Sequence, residues 1–280
     1  MPRLKVALLF SGQPRCIDGL SYDSIRTCLL DRYDVDVFAH FWGDLETDKT
    51  TGTVAANLDR FTELYSPKAI RVDPPLRADE FPLAWLQPHS PVPLTHENIL
   101  TLKTSNWASR NRNCISMYTS MARVYEVFKA HGGTYDWILR IRTDCVLLRC
   151  PQLEALDNTL LYAPQWHELY RGLLVNHTLL TGPDLAQTLF TVRTAVEHLP
   201  GVCDEEFLFH HLRTQGVLSR VRTLPLDTFY PTLTRTGTET DHPEPTLTSK
   251  VVPPPYRRFV WKTSPQFTWS PPITAWTPLE

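Results

Sequence analysis

KVALLFSGQPR, residues 5–15, decides how the rest of the chain is read. Its first six residues hold an apolar run that stops at Ser11-Gly12-Gln13-Pro14. A short apolar run closed by turn formers is the pattern of a strand buried on both faces, as in a parallel sheet. Leu20, Ile25, Leu29 and Leu30 then fall in a helical pattern over about 19–31, and DVDVFAHFW (34–42) supplies a second strand. A helix near 55–65 and a short strand at 69–72 complete a βαβαβ opening. That alternation predicts an α/β layer fold with a mostly parallel central sheet flanked by helices.

With 280 residues there is room for one large domain or two small ones, and 42% apolar content is enough for a sizeable core. The formal net charge is −2 and the charge runs are short and mixed, which argues against the clustered basic face of a nucleic-acid binder. Six cysteines, at 16, 28, 114, 145, 150 and 203, contain no CxxC pair. They read as reduced thiols of a cytoplasmic protein. The N-terminal run VALLF is too short for a signal peptide or a membrane span, so no membrane span is expected. Asn176-His177-Thr178 matches a glycosylation acceptor but is discounted without a secretion signal.

Residues 73–103 are rich in proline and read as an irregular excursion over the surface. A helix is expected from about 107 to 130, with Tyr118, Met121, Tyr125 and Phe128 as its core-facing stripe and Gly132-Gly133 as its end. Short strands are expected at 160–162 and 173–175, helices at 183–198 and 204–215, and a strand near 217–223. From about 229 the chain turns to proline and threonine, with Trp261, Trp269 and Trp276 and little periodicity. The organisation expected is a single domain over 1–228 with an irregular extension, 229–280, packed on it.

The segment YDWILRIRTDC (135–145) begins as a buried strand, yet Arg140, Arg142 and Asp144 are threaded through its second half. In open α/β sheets ligands sit outside the carboxyl ends of the strands. A carboxylate there can hold a hard divalent cation, and arginines can clamp a diphosphate or orient the carboxylate. The three share parity, so one extended segment would put them on one face. A buried Arg–Asp bridge without a ligand explains the same residues, and both readings stand at this point.

The order strand-SGQPR, DVFAHFW, NCISMYTSMARVYEVF and YDWILRIRTD resembles a family of glycosyltransferases found in large DNA viruses and in bacterial surface-polysaccharide loci. The resemblance covers residues 4–148 well and the remainder more loosely. It implies a GT-A fold, with a nucleotide-sugar half over about 1–148 and an acceptor half over about 149–228. It also implies a manganese or magnesium ion on the diphosphate of a UDP-linked or related donor, a glycan hydroxyl as acceptor, and work in a cytoplasm (the host's, for a virus). Phe10, Ser11, Gly12 and Arg15 would lie beside the nucleotide, Arg112 and Ser116 would approach the donor, and Arg140 and Arg142 would hold its phosphates. Asp144 would match the last acid of an Asp-x-Asp metal motif. The chain departs from that motif, with Arg142 two positions before and Val146 two after.

A second acidic cluster opens GVCDEEFLFHHL (201–212). Asp204, Glu205 and Glu206 can be explained by the helix dipole, with Asp204 as an N-cap. They are also similar to the acidic pair of inverting GT-A enzymes, where a carboxylate takes the proton of the attacking hydroxyl. Glu205, three before Leu208 on the expected buried face, is the first choice for that base, with Asp204 and Glu206 as alternatives. In a retaining enzyme the cluster would instead bind acceptor hydroxyls. His242 is the last histidine, the place where such enzymes often carry a metal ligand.

Other features carry less. His210 and His211 point about 100° apart on a helix and read as packing or surface residues. His40, Trp42 and Asp44 end the second strand, where contact with a base or ribose competes with core packing. Trp166, His167, Tyr170, Gly172 and 176–181 would lie near the acceptor under the family layout. Neither GxxxxGK[ST] nor GxGxxG follows the first strand. Two rival readings are a nucleotidyltransferase on a similar sheet and a non-catalytic glycan-binding module.

Overall fold

Strand β1 (Lys5–Gly12) lies inside the sheet, between β2 (Asp34–Trp42) and β4 (Trp137–Ile141), parallel to both. In register, Phe10 stands beside Ala39 on one side and Ile141 on the other. The computed structural model describes residues 3–44, 53–102, 107–165, 174, 176–199, 204–225, 228–235 and 246–247. β3 (Ala69–Asp73) adds in parallel beyond β2. On the other side of β4, the strands β7 (Thr178–Thr181) and β6 (Leu161–Pro164) run antiparallel in turn, and β8 (Val221–Leu224) joins β6 in parallel. The result is a seven-stranded, mostly parallel sheet of order β3-β2-β1-β4-β7-β6-β8. A smaller sheet of order β10-β9-β5 is built from β5 (Cys145–Arg149), β9 (Tyr230–Arg235) and β10 (Thr246–Leu247).

The unbroken apolar character of β1 has a direct cause in this arrangement. Val6, Leu8 and Phe10 face one core, shared with Ile25, Leu29, Phe61 and Tyr65 from α1 (Leu20–Ile25), the π turn after it (Arg26–Leu30) and α2 (Thr53–Tyr65). Ala7 and Leu9 face the other core, shared with Ile115, Tyr118, Met121 and Val124 of α4 (Trp107–His131). All five β1 residues are fully buried. Each larger one contributes about 1.5–3 kcal/mol. Phe10 meets Phe61 and Tyr65 edge-on at 5.1 and 4.8 Å, so Phe10→Ala would cost about 3–5 kcal/mol.

The expected α/β class and the βαβαβ opening are present, and α4 carries its stripe inward. Tyr118 and Met121 are buried, and Tyr125 stacks on Phe190 at 4.9 Å. α4 stops at Gly132, whose φ of +75° suits a residue without a Cβ.

Several elements differ from the sequence reading. The 135–145 strand ends at Ile141, and after a turn the chain re-enters a different sheet as β5. The helix expected at 183–198 breaks at Thr191 into α5 (Pro183–Phe190), α6 (Val192–Ala195) and a final 3-10 turn. The 73–103 excursion is not confined to the surface. It contains α3 (Leu83–Leu86), buries Leu76, Phe81, Leu86 and Ile99, and sets Trp85 5.4 Å from Phe207 of α7 (Asp204–Thr214). Residues 230–235 form β9 and pair with β5, because their extended backbone satisfies a strand that the large sheet does not take up. The expected strand at 173–175 is outside the described residues except for Leu174, which is irregular. Among the described residues no helix is long and apolar enough to cross a membrane.

Candidate functional site

The order β3-β2-β1-β4 contains a reversal. From β1 the chain builds outward through β2 and β3, then returns to lay β4 on the opposite side. The crevice outside the carboxyl ends of β1 and β4 is therefore a topological switch point, where open α/β sheets bind ligands. The segments leaving both strands meet there. Thr143 Oγ1 donates to the Gln13 carbonyl at 3.0 Å and accepts from Arg15 N–H at 3.3 Å. Asn57 Nδ2 donates to the Pro14 carbonyl at 2.7 Å. Ser21 Oγ lies 2.5 and 2.6 Å from the carbonyl oxygens of Thr143 and Cys145. The end of β1 and the loop after it hold three backbones at positive φ, Gly12 at +126°, Cys16 at +51° and Gly19 at +59°. For a cysteine that conformation is uncommon, and such strain persists where surrounding bonds over-determine it.

The bonds converge on Asp144. Arg142 grips it with both forks, Nε to Oδ1 at 2.8 Å and Nη2 to Oδ2 at 2.7 Å. Arg15 adds Nε and Nη2 on Oδ2, at 3.0 and 2.9 Å. The Asp144 side chain is 3% exposed, that of Arg142 24% and that of Arg15 51%. Burial alone would raise the Asp144 carboxyl, but the bonds and charges of Arg142 and Arg15 together outweigh it and hold it below the ordinary range. It is a carboxylate at neutral pH.

Arg140 does not share their face, because the strand ends one residue after it and the parity rule ends with the strand. Its side chain is fully buried, with Nε donating to Ser11 Oγ at 3.0 Å and Nη1 to the Asn176 carbonyl. Among the described residues no carboxylate lies within ion-pair distance of it. Burial, reinforced by the charge of Arg142, lowers its pKa to about 10, so it remains a cation. A buried charge without a paired carboxylate is costly to fold.

The remaining sequence candidates divide. Ser11 and Gly12 belong to this crevice. Phe10 does not; it is core. α4 runs antiparallel to the strands, since its end leads directly to the start of β4. Ser120, level with His40 on β2, is 13 residues into the helix, so about 20 Å of α4 extends past that level toward the carboxyl edge. Arg112 and Ser116 lie on this overhang. Arg112 Nη1 is engaged by the Ile99 and Leu100 carbonyls, both at 2.7 Å, and Ser116 Oγ by the Arg112 carbonyl at 3.2 Å. Among the described residues neither bonds to Asp144. The overhang also carries a residue the sequence reading missed. Asn111 is fully buried, and among the described residues neither its Oδ1 nor its Nδ2 has a hydrogen-bond partner. The only sequence signal was an amide in an otherwise apolar helical stripe.

Glu205 and Glu206 occupy the first turn of α7, half-buried, with Phe207, Leu208 and Leu212 buried behind them. Asp204 opens the helix, and its side chain is outside the described residues, as are His242, Trp166, His167, Tyr170 and Gly172. The Glu205 carbonyl accepts from Leu174 N–H at 3.3 Å, and two residues on, the Asn176 carbonyl accepts from Arg140. That link spans at most roughly 10 Å, so α7 begins close to the buried guanidinium. His40 and Trp42 turn inward, with His40 bonded to Ser120 and Asp73. His211 is buried against the Thr188 carbonyl at 2.8 Å, as a packing histidine.

The donor set does not fit the expected divalent cation. Both oxygens of Asp144 already accept from guanidiniums, and a cation beside them would face two fixed positive charges within 3.0 Å of the carboxylate. Among the described residues there is no group of three or more His, Cys, Asp or Glu side chains that could hold a metal. Among the described residues the site offers instead three guanidiniums, of Arg15, Arg140 and Arg142, around the Asp144 carboxylate. Comparison with models of known protein families matches none, and no curated protein matches the chain.

Proposed function

We propose that the chain is a GT-A glycosyltransferase that moves a sugar from a nucleoside-diphosphate donor, UDP-linked by preference, to a hydroxyl of a growing viral or bacterial surface glycan. The observation that supports this most is the excess of guanidinium charge at the β1/β4 switch point. That is where a parallel sheet presents a site to a diphosphate, and arginine forks match phosphate oxygens. The resemblance of the SGQPR and YDWILRIRTD segments to glycosyltransferases names the reaction.

In this reading transfer proceeds with inversion. The acceptor oxygen forms a bond to the anomeric carbon as the bond from that carbon to the β-phosphate oxygen breaks. The electron pair of the broken bond stays with the phosphate oxygen. The acceptor proton goes to a carboxylate at the start of α7, with Glu205 first and Asp204 or Glu206 as alternatives. Arg15 and Arg142 face the leaving diphosphate, where donors fixed in advance lower the barrier without reorganising. Arg140 adds positive potential from within the core.

The test is product analysis. The protein is incubated with a panel of UDP-, GDP-, dTDP- and CMP-linked sugars and a mixed glycan acceptor. Release of the nucleoside diphosphate with sugar appearing on the acceptor supports the reading, and turnover of the CMP-sugar alone overturns it. Pyrophosphate released in a parallel incubation with nucleoside triphosphates and sugar 1-phosphates identifies a nucleotidyltransferase, and glycan binding without turnover identifies a binding module. Either result removes this proposal.

A further inference from the structure

We infer that the Arg15–Arg142 pair, seated on Asp144, takes the place of a divalent cation on the departing diphosphate, so that binding and transfer need no metal. This rests on the reading of the chain as a nucleotide-sugar transferase. It goes beyond that reading in assigning the charge neutralisation to side chains and in giving Asp144 the role of a positioning residue.

When the bond to the anomeric carbon breaks, the nucleoside diphosphate gains one negative charge on its β-phosphate. Something fixed and positive must meet that charge. A metal would bring two positive charges held by carboxylates. Here positive charge is present in the chain itself: among the described residues, Arg15 and Arg142 close on Asp144, with Arg140 buried nearby. The electron and proton balance of the transfer is complete without a further reactant.

Geometry supports the substitution. Asp144 is nearly inaccessible, whereas the arginine heads that bind it are graded outward, with Arg142 partly exposed and Arg15 half-exposed. The two-fork grip of Arg142 on Asp144 fixes its guanidinium plane, and Arg15 is held through its own N–H as well as its side chain. Among the described residues Nη1 of Arg15 has no partner. Both heads are thus oriented before a ligand arrives, and the cost of ordering them is met in folding. Thr143 and Ser21 tie the backbone between the two strand ends, so the pair cannot drift apart without breaking those bonds.

The metal and arginine alternatives give opposite signs for one substitution. If Asp144 were a metal ligand, Asp144→Asn would abolish nucleotide binding. If Asp144 only aims the arginines, it also competes with phosphate for them, and removing its charge strengthens binding.

The experiment is calorimetric titration of UDP, with GDP, dTDP and CMP as companions, into the full chain in EDTA and again in excess manganese. The expected result is one nucleotide bound with the same Kd under both conditions. Arg15→Ala should weaken it by about tenfold or more, with Arg15→Lys between the two, because a point charge replaces a fork. Asp144→Asn should tighten it by about two- to tenfold. Arg123→Ala, an arginine outside the crevice, should leave it unchanged. Binding that appears only with manganese, or is lost in an Asp144→Asn protein with a wild-type melting curve, overturns the inference and leaves the transferase reading standing. Absence of binding to every nucleotide in both buffers overturns that reading as well. Arg15 is half-exposed, so its variants keep the test informative if Asp144→Asn does not fold.

Discussion

Two arginine–carboxylate clusters sit at the same edge of the sheet, and they differ in what surrounds them. At the ends of β1 and β4, Asp144 is held by Arg15 and Arg142. At the end of β3, Asp73 is held by Arg71 and Arg123, both at 2.8 Å, and by His40 Nε2 at 3.1 Å. By residue type the two are nearly the same. Yet the Asp73 cluster closes on itself. His40 is fully buried, its Nδ1 is 2.7 Å from Ser120 Oγ, and Arg123 lies over Trp42 at 4.9 Å. The cavity beside Asp73, lined also by Pro74, Pro75, Arg77 and Glu80, holds about 170 Å³. That is below the range of sites that enclose a drug-sized ligand. The Asp144 cluster instead lies at the reversal of strand order, follows a strained loop and has a third guanidinium buried beneath it. Position relative to the switch point, more than composition, separates a brace from a candidate site.

The contrast is sharpest in paired substitutions. Arg142→Ala should lower kcat/KM by about 10²–10³-fold, the scale of losing one preorganised charge donor. Arg123→Ala should leave transfer intact in the folded protein and instead lower stability by about 1–3 kcal/mol, through a lost charged hydrogen bond and its stacking on Trp42. Steady-state kinetics and denaturant melts on both variants check this. Equal losses of activity in the two would erase the distinction.

The Asp73 cluster should also set the acid limit of stability. Burial pushes His40 down to about 4 against the bonds and charge of Asp73, which raise it. The folded state therefore keeps His40 neutral while an unfolded histidine takes up a proton near pH 6.5. With more protons bound in the unfolded state, stability falls as pH drops from about 6.5 toward 4, by up to about 3 kcal/mol. Burial lowers His211 too and adds in the same direction. Melting curves between pH 8 and 4 should show the decline, and His40→Gln should flatten most of it. An unchanged slope in that variant would assign the decline to other groups.

The smallest effect belongs to Asn111. Its amide is buried without partners, at a cost of about 1–3 kcal/mol, so Asn111→Leu should raise stability by about 1 kcal/mol. A drop in the melting temperature would mean that the amide is satisfied in solution.

Much of the large sheet was legible because local patterns carried it. The unbroken run at 6–10 could only be a strand covered on both faces, and the Tyr118–Met121 spacing could only be a helix facing a core. The excursion after β3 was less legible, since proline-rich composition says nothing of where Phe81 or Leu86 finds a cavity to fill. β9 was invisible for a related reason: a strand whose partner is 88 positions away, as Leu233 is paired opposite Cys145 after a gap that includes most of the second half of the domain, has no local period to announce it beyond its own composition.

Of the candidate site, the sequence by itself determined that Arg140, Arg142 and Asp144 lie at or just past the end of a core strand, and that Arg15 follows another. Only the tertiary structure decided that those two strands are neighbours, that β4 stops at Ile141, and that Arg140 turns inward to Ser11 while Arg142 and Arg15 close on Asp144. The physical reason is the range of the interactions. Strand and helix patterns follow backbone periods of two and 3.6 residues. Arg15 finds Asp144 through the packing of elements more than a hundred residues apart, and no period in the chain encodes that meeting.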